Sequence, residues 1–243
     1  MTRRFKMALC FFAVVIAGNQ SALAGDLRFV AGPIPPYVFK NDGFPDGAAT
    51  AVLDAIAREL QIPFQLEFQP WMRAQITAQK EQDIGIIPLS RTPERESLYK
   101  WVGPLIYDRE VLVTLASNMR APANLDEGRT LSVCVLRGSP GETRLRALGY
   151  NNLFLATDTA ACAQRLAAKK VDAWSVAKLV APYQYKLEGL DPATLSVGAE
   201  VRPNDIYLGF SMDVADEVVS RWQKSLDEMR ANGKLAALLK PFQ

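Results

Sequence analysis

The 243-residue chain contains no histidine. That absence excludes Ser-His-Asp and Cys-His catalysis and removes the commonest zinc ligand, so acid–base chemistry here would fall to carboxylates, lysines or a tyrosine. Nothing calls for a cofactor, and no set of residues has the spacing of a metal site. Charge of one sign is also lacking, with 28 basic residues against 26 acidic ones. No repeat of about 20 to 50 residues survives inspection, which argues against a solenoid. After residue 24 no stretch approaches the roughly 18 to 20 apolar residues that a membrane-spanning helix needs.

One apolar run does occur, in "MTRRFKMALCFFAVVIAGNQSALAGD" at the start of the chain. Arg3, Arg4 and Lys6 precede it, it extends from Met7 to Gly18, and the small residues around Ala22 and Ala24 follow. This is the pattern of a secretory signal peptide over residues 1–24, with cleavage expected after Ala24, and it predicts an exported, soluble, periplasmic protein. Cys10 does not fit a lipid-attachment site, because Leu9 is bulky and most of the apolar run follows the cysteine. Removing the leader turns a formal net charge of +2 into a slight acidic excess. The remaining balance gives no reason to expect nucleic acid or an anionic membrane as a partner.

Of three cysteines, Cys134 and Cys162 lie beyond the leader. They are either a disulfide or two buried free thiols on a strand and a helix. The even count and the oxidising destination favour the bridge, which would close a loop of about 29 residues and contribute on the order of 3.5 kcal/mol.

Strand-like segments alternate with helical ones along most of the chain. Leu27 to Ala31 reads as a strand, Asn41-Asp42-Gly43 as a turn, and Ala48 to Leu60 as a helix with Val52, Leu53, Ile56, Ala57 and Leu60 on one face. Phe64 to Phe68 alternates as a half-buried strand, Trp71 to Gln79 follows Pro70 as a helix, and Asp83 to Ile87 is a short strand. Strands are expected again at Val111 to Leu115 and Leu131 to Leu136. Ser139-Pro140-Gly141-Glu142 then makes a capping box that opens a helix. Leu153 to Leu155, a helix from about Thr159, Val171 to Ser175, a helix near Ala177 to Leu187, and strands at Val197 to Val201 and Tyr207 to Ser211 continue the order. A helix carrying Val218, Val219, Trp222, Leu226 and Met229 ends at Asn232-Gly233, before a last helical piece from Lys234 to Leu239. The alternation defines an α/β protein with sheets covered by crossover helices.

In this order of elements, "QKEQDIGIIPLSRTPERESLYKWVGP", "VCVLRGSPGETRLRALG" and "AAKKVDAW" resemble the solute-binding proteins of ABC transporters, in particular the polar amino-acid binding family, solute-binding family 3. The resemblance runs over essentially the whole chain after the leader. It implies a type II periplasmic binding protein fold, two α/β lobes joined by a two-strand hinge with the ligand cleft between them. Lobe one would be residues 25–107 plus 208–243, discontinuous in sequence, and lobe two residues 108–207. It further implies a monomer that hands a small solute to an ABC permease.

The resemblance places the ligand carboxylate on Arg95 of Thr92-Pro93-Glu94-Arg95, with Ser90 beside it. A guanidinium gives a carboxylate two parallel charge-assisted hydrogen bonds that lysine cannot reproduce. On pattern alone this segment also reads as a solvated, self-paired surface loop. From lobe two, Gly138 and Ser139 would meet the carboxylate at a helix N-terminus, although Ser139 as an ordinary cap would spend its oxygen on its own helix. Tyr37 and Trp71 are the expected aromatic walls, with core packing as the alternative for each, and Arg73 is a further cation at the mouth. The pattern departs from the family at Ala177, five positions after Asp172, where an acid ordinarily holds the ligand's ammonium, and at Gly47-Ala48-Ala49-Thr50, which lacks acids. Either Asp205 or Glu200 takes the ammonium, or the ligand has none. The resemblance also allows an enzyme of the cyclohexadienyl-dehydratase type, or a soluble ligand-sensing partner of a membrane sensor.

Overall fold

The computed structural model describes residues 27–118 and 120–242. The leader read from residues 1–24 lies outside them. The elements are β1 (Leu27–Ala31), β2 (Phe39–Asn41), β3 (Phe44–Asp46), α1 (Ala48–Leu60), β4 (Phe64–Phe68), α2 (Trp71–Lys80), β5 (Ile84–Ser90), β6 (Lys100–Ile106) and β7 (Arg109–Leu115). They continue as β8 (Val133–Leu136), α3 (Pro140–Ala147), β9 (Leu153–Ala156), α4 (Thr159–Ala167), β10 (Ala173–Ala177), α5 (Val180–Leu187), β11 (Leu195–Pro203), β12 (Ile206–Phe210), α6 (Asp216–Ala231) and α7 (Lys234–Leu239).

Two five-stranded sheets result, ordered β4-β1-β5-β12-β6 and β11-β7-β10-β8-β9. In each, the strands that alternate with helices pair in parallel and the strands next to the crossings pair antiparallel. Each sheet, with the helices packed on it, forms a lobe. The chain passes between lobes twice, through Tyr107-Asp108 after β6 and Asn204-Asp205 after β11. The Asn204 amide donates to the Asp108 carbonyl at 2.9 Å and ties the two crossings together.

The first lobe is built around rings. Phe29 packs 5.5 Å from Phe64 and 5.4 Å from Trp222, which in turn lies 5.6 Å from Phe210. The second lobe buries Trp174, Tyr185 and Tyr150 among aliphatic side chains and adds the Cys134–Cys162 disulfide, which joins β8 to α4 with both α-carbons 5.5 Å apart. Three strands are not announced by the sequence: the short hairpin of β2 and β3, and β6, which Gly103 and Pro104 interrupt and which becomes a strand by pairing with β12.

Candidate functional site: an enclosed cleft between the lobes

The cavity lies between the lobes and measures about 70 Å³. Its wall is assembled from the strand ends and helix starts of both sheets, together with Asn204 at the second crossing.

Tyr37 reaches it from the loop before β2. The loop is fixed because the first amides of α1 point at it, with Ala48 N donating to Pro36 O and Ala49 N to Tyr37 O, both at 2.8 Å. Gly47 allows this approach: its φ is 118°, and a β-carbon there would overlap the Tyr37 carbonyl. The stretch without acids at the start of α1 thus binds backbone, and through it the Tyr37 ring. Tyr37 is buried, and its hydroxyl donates to the Asp108 carboxylate at the first crossing. Burial and the adjacent carboxylates push the phenol well above its ordinary value, so it remains a donor.

Trp71, the first residue of α2, lines the same wall, and its indole N–H is buried without a partner among the described residues. Its ring faces the Arg95 guanidinium at 5.7 Å. Arg95 itself sits in a short 3₁₀ turn, Pro93–Leu98, just behind the cavity wall, and is 8% exposed. It donates to Gln75 Oε1 at 2.6 Å, to Ser90 O at 3.3 Å and, across the cleft, to Gly138 O at 3.0 Å. All three acceptors are neutral. Among the described residues no carboxylate forms an ion pair with it, and burial pulls the guanidinium down to about 10. A buried cation is ordinarily matched by an anion.

From the second lobe, Ser139 lines the cavity and caps α3, accepting from the Glu142 amide at 3.2 Å, while the Glu142 carboxylate accepts from Gly138 N at 2.8 Å. The Gly138 amide is therefore occupied, and its carbonyl carries the contact between lobes. Gly138 has φ 69°, and a β-carbon at this point would overlap the Met72 sulfur of the other lobe.

The remaining expected positions distribute unevenly. Ser90 lines the cavity but donates to Asn204 Oδ1 at 2.6 Å. Asp205 is not in the cavity wall; it borders a surface groove near the crossings with Lys178 and Arg109, and Glu200 in the same groove pairs with Arg109 at 3.0 Å. Arg73 is exposed on α2. Ala177 is part of the cavity wall, as methyl surface.

Sequence reasoning did not find Gln75, Glu110 or Asn204. Gln75 is a polar residue on the otherwise apolar face of α2 formed by Trp71, Ala74 and Ala78, which is a visible signal. Glu110 is the first buried residue of strand β7, directly opposite Ala177 in the antiparallel pair with β10. Its carboxylate accepts from Ser175 at 2.7 Å and from Arg202 at 3.4 Å. Burial raises its carboxyl above the ordinary value, against the opposing pull of Arg202 and Ser175. Asn204 Oδ1 also accepts from Arg202 at 2.6 Å, and nothing in Arg-Pro-Asn-Asp distinguishes it from a turn residue.

Two lobes, crossed twice by the chain and meeting over a buried unpaired cation, are the architecture of a solute-binding protein. The chain belongs to the bacterial extracellular solute-binding proteins, family 3, whose sequence model matches residues 29–242. No curated protein matches its sequence. Among solved structures it is similar to a histidine kinase sensor domain with similarity to periplasmic binding proteins, at TM-score 0.82 and 19% identity over 90% of this chain and 96% of that one. An ancestral arginine-binding protein bound to arginine superposes at TM-score 0.80 and 19% identity, over 90% and 99% of the two chains. The amino acid ABC transporter substrate-binding protein AbpA from Streptococcus pneumoniae, bound to L-arginine, does so at 0.79 and 18%, over 90% and 94%. The fold is thus the two-lobed, type II periplasmic binding protein fold.

Proposed function

We propose that this chain is a periplasmic solute-binding protein that captures a small carboxylated molecule in the cleft and presents it to an ABC-type permease. The lobes expected as residues 25–107 plus 208–243 and residues 108–207 move about the two crossings, with Ile206 and Tyr207 of β12 counted in the first lobe, whose sheet they join. The leader is removed on export, the protein acts as a monomer, and its work is closure around the ligand, without bond-making.

Arg95 carries this reading. It is buried between the lobes, bonded only to neutral oxygens, and its guanidinium suits a carboxylate. The cavity of about 70 Å³ is smaller than the roughly 150 Å³ that holds a benzene ring, so loading requires the lobes to part. Of the seven residues proposed for the ligand, Arg95, Ser90, Trp71, Tyr37, Gly138 and Ser139 surround or back the cavity; Asp205 belongs to the outer groove.

The similarity to a histidine kinase sensor domain favours a second reading, in which the same closure signals to a membrane sensor. Co-purification from membranes separates the two, with a permease for uptake and a kinase for sensing.

Arg95→Ala tests the central claim. Binding of the best carboxylate, measured by calorimetry, is expected to fall at least ~100-fold, about 3 kcal/mol. The ligand-free melting temperature should stay near that of the parent, because a buried charge without a counter-charge contributes little. Unchanged affinity would refute the carboxylate site, and turnover of a cyclic prephenate-like acid would convert the reading to the dehydratase.

A further inference from the structure

The hydrogen-bonding groups around the cavity divide into acceptors that already hold bonds and donors that have no anion to meet. Gly138 O takes bonds from Arg95 and Gln75, and Asn204 Oδ1 takes them from Ser90 and Arg202. Ser139 Oγ accepts from its own helix. The Glu110 carboxylate is held by Ser175 and Arg202, and the Gly141 backbone presses so closely on it that a β-carbon at 141 would overlap its oxygen. Among the described residues two donors lack an anionic partner: the Arg95 guanidinium, which donates to neutral oxygens alone, and the buried Trp71 indole N–H, which donates to none.

Charge divides the same way. Glu110 answers Arg202, and among the described residues no acid answers Arg95. Asp108 is not in the cavity wall; it is bonded to Tyr37 and the Leu179 amide and borders the outer groove with Lys178. The rest of the wall is largely hydrocarbon, from Ile34, Leu136, Val176, Ala177, Val180 and Ile206.

An ammonium group brings three donors and no acceptor. In this cavity the one charged residue of the wall, Glu110, is already bonded to Ser175 and Arg202, so an ammonium would be desolvated without a counter-ion of its own unless it displaced Arg202 from Glu110. A carboxylate brings acceptors alone. We propose, building on the carboxylate reading above, that the site selects carboxylic acids that have a compact apolar body and no ammonium group, and rejects the corresponding α-amino acids.

Three compounds of one carbon skeleton test this on the purified, exported protein by calorimetry: 3-methylbutanoate, 3-methyl-2-oxobutanoate and valine. The expected result is that at least one of the two ammonium-free acids binds tenfold or more tighter than valine. Ala177→Asp, which places a carboxylate on the methyl wall opposite Glu110, is expected to shift the ratio at least tenfold toward valine. Tighter binding of valine by the parent protein would overturn the proposal. If Glu110→Gln then abolished it, Glu110 would be the ammonium partner. Failure of the underlying reading looks different: the three compounds would bind alike and Arg95→Ala would change none of them.

Discussion

The first lobe supplies the donors of the cleft, and the second supplies much of its apolar wall. Arg95, Trp71 and Tyr37 come from loops and helix starts of the first sheet, whose interior is packed with large rings. The second contributes a carbonyl at Gly138, a carboxylate already matched by Arg202, and hydrocarbon from β10 and α5. Their cores differ accordingly. A ring cluster holds the lobe that must keep a guanidinium buried, whereas a disulfide tightens the lobe that closes over it. Neither lobe makes the site alone, because the cation and the carbonyl it reaches lie on opposite sides of the cleft.

Breaking the ring cluster should have the largest effect. Trp222 is fully buried between Phe29 and Phe210, so Trp222→Ala is expected to cost about 3–5 kcal/mol in urea unfolding, with the loss confined to the first lobe if calorimetry separates two transitions. A single shifted transition would show instead that the lobes melt as one unit. Replacing Cys134 and Cys162 together by alanine addresses the other lobe. The cysteines are 28 positions apart, and the loop-closure argument gives a loss of about 3.5 kcal/mol.

A smaller change acts on the contact between lobes. Gly138→Ala puts a side chain at φ 69° and a β-carbon onto the flexible end of the exposed Met72 side chain, which must shift, so it should cost about 1–2 kcal/mol locally and loosen the contact between the lobes. Small-angle scattering should show a larger radius of gyration and calorimetry roughly tenfold weaker binding; an unchanged radius would remove Gly138 from the closure contact. The smallest effect is expected from Glu110→Gln. Burial raises the Glu110 carboxyl above its ordinary value of 4.5, so the native state holds this proton more tightly than the unfolded chain. The stability linked to it is complete below 4.5 and falls as pH rises through the raised value. Glu110→Gln removes that slope, and urea titrations from pH 4 to 7 should show the variant gaining on the parent as pH rises.

Much of the fold was legible because amphipathic period is local. The alternation of Phe64 to Phe68 and the helical face of Ala48 to Leu60 are each set by neighbours in sequence. β6 was not legible, since its Gly103 and Pro104 break the pattern and its pairing partner β12 lies a hundred residues away in the chain. In the site, Arg95 could be singled out but its surroundings could not. Glu110 reads as the charged end of an apolar strand until β10 is laid beside it, and Asn204 reads as a turn residue until the two crossings meet.

By itself the sequence determined the α/β alternation, the capping box that opens α3, the absence of histidine chemistry, and a guanidinium in a family-like motif. These follow from residue type and short spacing. Only the tertiary structure decided that Arg95 is buried with neutral partners, that Asp205 and Glu200 lie outside the cavity, and that Glu110 is already matched by Arg202. Whether a charge is solvated, paired or left waiting for a ligand depends on what distant segments bring within a few ångströms of it, and no local pattern encodes that distance.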